Sequence, residues 1–142
     1  MRKIYVIFAL LCGIAVNAVD LSADYKNGIM YHSKARGGVI EDMYIDKSAI
    51  VALQKDGVLP NGARIVMEEY ANKNGKKGAI NRYIAMQKRG KSWEFSAYNA
   101  DGSLNRADNP TRCLKCHRES VRGEDIVFTL DLIKAFRFDE NE

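Results

Sequence analysis

Between Gly37 and Gly102 the apolar residues recur mostly at every second position, and short Gly-rich breaks separate the runs. The segments "GGVIEDMYID" (Gly37 to Asp46), "ARIVMEEYA" (Ala63 to Ala71), "AINRYIAMQKR" (Ala79 to Arg89) and "KSWEFSAYNADG" (from Lys91) each predict a strand. "NKNGKKG" predicts the turn between the second and third of these, and Asp101-Gly102 a turn after the fourth. One stretch has a different period. From about Lys47 to Lys55 a helix is expected, with Ile50, Val51 and Leu53 as its buried side, Asp46 and Ser48 as caps and "DGVLPNG" as its exit. Leu21 to Lys34 suits a short helix or an extended arm, and Asn105 to Arg112 a loop. The pattern predicts an α+β fold, mainly antiparallel β-sheet with a few helices, followed by a C-terminal Cys-x-x-Cys-His segment. A four-helix bundle would need long helical periodicity between positions 60 and 100. That region is instead punctuated by Gly and rich in Val, Ile, Tyr, Trp and Phe.

The start of the chain follows another pattern. Met1, Arg2 and Lys3 precede the apolar run "IYVIFALLCGIAV", and small residues at Val16 and Ala18 close it. This is the layout of a secretory signal peptide over residues 1–18, cleaved after about Ala18, with a single domain expected over 19–142. The run is short for a spanning helix, and an uncleaved anchor is the alternative. Export follows, to the periplasm if the source is Gram-negative. Loss of Arg2 and Lys3 from 22 basic residues leaves 20 against 18 acidic ones, a net charge of about +2. So mild a balance excludes a nucleic-acid partner as the expectation. The 142 residues, 46% of them hydrophobic, suffice for one modest core.

Removal of the leader takes Cys12 with it and leaves two of three cysteines, Cys113 and Cys116, both in "CLKCH" with His117. In an oxidising compartment such a pair can form a disulfide, ligate zinc, exchange thiols or attach haem. A structural zinc site wants four protein ligands, and beyond these three only the distant His32 offers an imidazole. A thiol-exchange pair belongs near the start of a βαβ pattern, which is absent upstream. Covalent haem c uses every part of the motif: Cys113 and Cys116 as thioethers on the haem vinyl groups and His117 as the iron ligand.

Small electron-transfer cytochromes carry this motif early and a methionine ligand after it. Here neither His nor Met follows His117. A sixth ligand would have to be His32, Met30, Met43, Met67 or Met86; without one, the iron keeps an open position for a small molecule.

Taken together, "GVLPNGARIV", "KSWEFSAYNADGS", "CLKCH" and "EDIVFTLDL" resemble, in order and spacing, the cytochrome P-460 and cytochrome c′-beta family, over Gly37 to about Leu132. The resemblance implies a mainly antiparallel β domain, a homodimer, and one haem c with a five-coordinate iron held by Cys113, Cys116 and His117. In the P-460 branch a lysine is joined to the haem, and the protein oxidises hydroxylamine and nitric oxide. The c′-beta branch lacks that bond and binds diatomic gases in an apolar pocket. Met67 stands where the cross-linking lysine falls, with Lys73, Lys76, Lys77 and Lys88 nearby and expected to be solvated. The sequence therefore points to binding of a gas such as nitric oxide, with hydroxylamine oxidation second and electron transfer to a redox partner protein third.

A pocket lined by Met67 and by Tyr70, Tyr83, Phe95 or Phe128 suits a neutral diatomic molecule. An inward Glu68, Glu69 or Glu94 would instead supply the proton acceptor that hydroxylamine oxidation requires. Strand alternation puts Met67 and Glu68 on opposite faces. Arg112, Lys115, Arg118 and Arg122, around the motif, are candidates for haem propionates or for a docking partner.

Overall fold

The computed structural model describes residues 18–139. The expected signal peptide lies, apart from Ala18, outside the described residues. Five strands form one antiparallel sheet in sequential order: β1 (Ile29–Arg36), β2 (Val39–Ile45), β3 (Arg64–Lys73), β4 (Lys76–Arg89) and β5 (Ser92–Asn99). Among the described residues three α-helices accompany it: α1 (Lys47–Asp56), α2 (Pro110–Ser120) and α3 (Leu130–Ala135). The α+β class read from the alternation is the class observed.

Turn chemistry sets the register. Asn74 and Gly75 have φ of 55° and 85°, which makes a two-residue turn closed by the Lys73–Lys76 pair. The seven-residue turn expected there is thus two residues, and both strands run longer. The ambiguous segment from Leu21 resolves into a 3-10 turn (Ala23–Asn27) and β1. Gly28 joins them because a Cβ there would lie 2.6 Å from the Ile45 carbonyl oxygen.

Helix α1 has the expected bounds, with one face corrected. Ala49, Ile50 and Leu53 are buried, whereas Val51 is 48% exposed, since one further residue turns the side chain about 100° around the axis. Asp46 stands at the N-cap, but its side chain makes no cap bond; its carbonyl accepts from Ala49 and Ile50 instead. At the other end Gly57, with φ 79°, bonds back to Leu53. Helix α2 begins inside the segment expected to be loop. The Asn109 side chain accepts from the Thr111 N–H at 3.0 Å, and Pro110 occupies the first position. Helix α3 was not expected, being too short to show a period.

Side chains divide between the two faces of the sheet. On one, Ile45, Ile65, Met86, Trp93 and Phe95 pack with Ile50 and Leu53 of α1, Ile133 of α3, and Ile126 and Val127 of the preceding loop. Each large aliphatic residue fully buried there contributes about 1.5–3 kcal/mol. On the other face Val66, Ala85 and Tyr98 pack with Val19 and with Tyr25 of the 3-10 turn. Among the described residues no helix is long and apolar enough to cross a membrane.

Candidate functional site

The first face does not close completely. Between the sheet, α2 and α3 lies a cavity of about 820 Å³, within the range of roughly 300–1,000 Å³ usual for cofactor and ligand sites. Cys113, Cys116 and His117 all line it. They sit on α2, where spacings of three and four residues share one face of a helix. Helix α2 packs against β5, and the His117 ring lies between Phe95 and Phe128, with ring centroids 4.8 Å and 4.6 Å away.

The imidazole has a fixed orientation. His117 Nδ1 is 2.7 Å from the Ile126 carbonyl oxygen. A carbonyl only accepts, so Nδ1 carries the proton, and Nε2 is left with a lone pair for a metal. Burial pushes the Cys113 thiol up, as does the negative charge of Asp108, against the opposing pull of Arg112 and Arg82. Both cysteines are free thiols. Among the described residues no group of three or more His, Cys, Asp or Glu side chains is placed to hold a metal ion by itself, so the zinc alternative finds no ligand set there.

The sheet wall of the cavity is apolar at its centre. Met43 of β2 pairs with Met67 of β3, and Met67 with Ile84 of β4; all three line the cavity together with Ile65 and Met86. Polar groups gather toward one end, where the buried Glu41 is engaged by Arg36, and Arg82 bonds Glu69 at 3.0 Å and Asp108 at 3.3 Å. His32 and Lys34 of β1 also contribute to the wall. Tyr31 turns its hydroxyl to Thr129 at 2.8 Å, and burial pushes its pKa up to about 12.

Several expected site residues lie elsewhere. Tyr70 and Tyr83 belong to the opposite face: Tyr70 donates to Glu68 at 2.6 Å, and Tyr83 packs with Val66 and Ala85. Glu68 is 1% exposed there and also accepts from Tyr25 at 2.6 Å and Tyr44 at 3.1 Å, with Lys26 at 2.6 Å. Glu94 pairs with Arg89, outside the cavity lining. Lys88 is not a solvated charge: it is 2% exposed and held by Asp125 and Glu124. Around the motif, Arg112 lines the cavity, Lys115 lies 3.8 Å from Glu119, and Arg118 bonds Ser92. The sequence reading missed the Ile126 carbonyl, Tyr31, Thr129 and Arg82. Alternation along β4 puts Arg82 on the face of Ile84 and Met86, whereas a backbone acceptor leaves no sequence signal.

Comparison with known families identifies the kind of protein that carries this cavity. The family model for Cytochrome P460 matches residues 22–129, which is most of the chain. The chain belongs to the cytochrome P460 family. It is therefore a cytochrome, a c-type haem protein that binds iron through its haem. Individual curated proteins give no match. The residues present fit such a group: two thiols and an imidazole with a free Nε2 converge on one cavity, whose centre is apolar and whose end is charged.

Proposed function

We propose that this P460-family protein is an exported mono-haem cytochrome whose iron is five-coordinate and binds small diatomic ligands such as nitric oxide. Cys113 and Cys116 would hold the haem as thioethers, and His117 would be the single protein ligand. Haem iron in that state supplies one open coordination position. The observation that carries the reading is the Met43–Met67–Ile84 row across the cavity wall. These side chains offer a bound molecule shape and low polarity without a proton donor. Dioxygen depends on such a donor to stabilise its partial charge, and nitric oxide depends on one less. The carboxylates support the reading: of the two among the described residues of the lining, Glu41 is held by Arg36 and Asp108 by Arg82, while Glu69 is also held by Arg82 and Glu68 lies behind the sheet.

Oxidation of hydroxylamine or nitric oxide is the second reading, and His32 favours it. This imidazole lines the same cavity and is of the residue type best suited to take protons near neutral pH. Lys34 is the one lysine among the described residues of the lining, and so the candidate for a haem cross-link if one forms. Electron transfer to a partner protein comes third and would need His32 or a methionine as sixth ligand. Homodimer formation and a periplasmic location after cleavage near Ala18 belong to the same proposal.

Anaerobic titration of the ferrous protein with nitric oxide, beside dioxygen and a hydroxylamine turnover assay, tests it. Tight nitric oxide binding with weak dioxygen binding and no turnover is expected. Sustained hydroxylamine turnover would replace the first reading with the second.

A further inference from the structure

Lys88 and Asp125 form a buried pair that the proposed binding chemistry does not use. Their side chains are 3% and 2% exposed, and Lys88 Nζ donates to Asp125 Oδ1 at 2.7 Å. The same ammonium donates to the Leu59 carbonyl at 2.9 Å and to Glu124 at 3.0 Å. Asp125 Oδ2 accepts the Leu59 N–H at 2.6 Å. Asp125 is thereby tied to the end of β4 and to the loop after α1. The next residue, Ile126, is 7% exposed in the core and presents the carbonyl that accepts the His117 Nδ1 proton at 2.7 Å.

A pair of this kind adds little net stability over apolar groups of the same volume, because desolvation offsets most of the attraction. It does add direction. Four bonds join Lys88 and Asp125 to each other, to Leu59 and to Glu124, and they fix the segment just before the acceptor. The strength of the Nδ1–H bond sets how basic the imidazole is toward a metal, so the placement of this carbonyl tunes the ligand.

We propose that the Lys88–Asp125 pair is a positioning device for the His117 imidazole, holding the Ile126 carbonyl where it accepts from Nδ1 and leaves the Nε2 lone pair for the iron. The inference rests on the reading of His117 as the iron ligand. Lys88 and Asp125 are positioning residues and lie outside the cavity lining.

The test is resonance Raman spectroscopy of the ferrous holoprotein, with the midpoint potential measured on the same samples. In folded, haem-loaded Lys88→Met and Asp125→Asn proteins the iron–histidine stretching band should move to lower wavenumber and the potential should shift positive. Lys88→Arg should return both toward the unmodified protein. If the single variants fail to fold, the double variant K88M/D125L replaces the pair with apolar side chains. It should fold and still show the lowered band. An unmoved band and potential in these variants overturn the positioning role while leaving His117 as ligand. Absence of any iron–histidine band in the unmodified protein overturns the ligand assignment, and the positioning role with it.

Discussion

Met67 and Glu68 are neighbours on β3 and occupy opposite environments. Met67 lies on a wall of thioethers and aliphatic groups facing a cavity. Glu68 is buried behind the sheet, where three tyrosine hydroxyls and Lys26 surround its carboxylate. The cavity face is adapted to hold something by shape and low polarity. On the back face the Glu68 carboxylate is already satisfied by partners within the chain. A buried polar cluster is thus no sign of a binding site when its partners are all present.

The sharpest way to break this comparison is to substitute the two residues separately. Glu68→Leu strands the buried Tyr25 hydroxyl and should cost about 2 kcal/mol in chemical denaturation, with the haem spectrum unchanged. Met67→Gln should leave stability nearly intact and place a donor on the cavity wall. A hydrogen bond worth about 1 kcal/mol to bound dioxygen would raise its affinity about fivefold in an optical titration. Reversed outcomes, a spectral change from Glu68 or a large stability loss from Met67, would mean that the faces are misassigned.

Acid titration sharpens the same contrast. Burial alone would raise the Glu68 pKa, but hydrogen bonds from Lys26, Tyr25 and Tyr70 and the charge of Lys26 bring it below the ordinary 4.5. A depressed carboxylate adds stability that is complete above its unfolded pKa and is lost as pH falls through the folded value. Urea denaturation at successive pH values should show this loss below about pH 4.5, and Glu68→Gln should flatten it. On the alkaline side, burial pushes Tyr31 and Tyr44 up to about 12, Tyr44 also through the Glu68 charge. Stability from these tyrosines is complete below 10 and declines as pH rises above it, because the unfolded phenols ionise first.

Smaller effects test the frame that carries both faces. Asn74 has φ 55° in the β3–β4 turn, so Asn74→Ala should cost about 1 kcal/mol and Asn74→Gly far less. Val51, at 48% exposure, should tolerate serine within about 0.5 kcal/mol in the same denaturation assay. A loss above 2 kcal/mol would restore Val51 to the buried side where its sequence position first suggested it.

Alternation made most of the sheet legible: the β3 and β4 segments, the placement of Met67 opposite Glu68, and the helix after Asp46 all follow from periods of two and 3.6. Tyr70 and Tyr83 misled because an aromatic residue suits either face, and only parity along the strand separates them. By parity Tyr70 goes with Glu68, and cross-strand pairing puts Tyr83 opposite Glu68. Lys88 misled because a lysine is ordinarily solvated, and its carboxylate partners lie more than thirty residues away. Of the site, the Cys-x-x-Cys-His motif named its own three residues. The orientation of His117 came from a backbone carbonyl, which any residue could have supplied.

Resonance Raman spectra of the ferric and ferrous holoprotein, recorded with an intact mass on the same sample, test the central claim most directly. The account predicts a five-coordinate iron with one histidine ligand and a mass equal to the mature chain plus one haem. A six-coordinate low-spin iron, or a haem peptide cross-linked to a lysine, would contradict it.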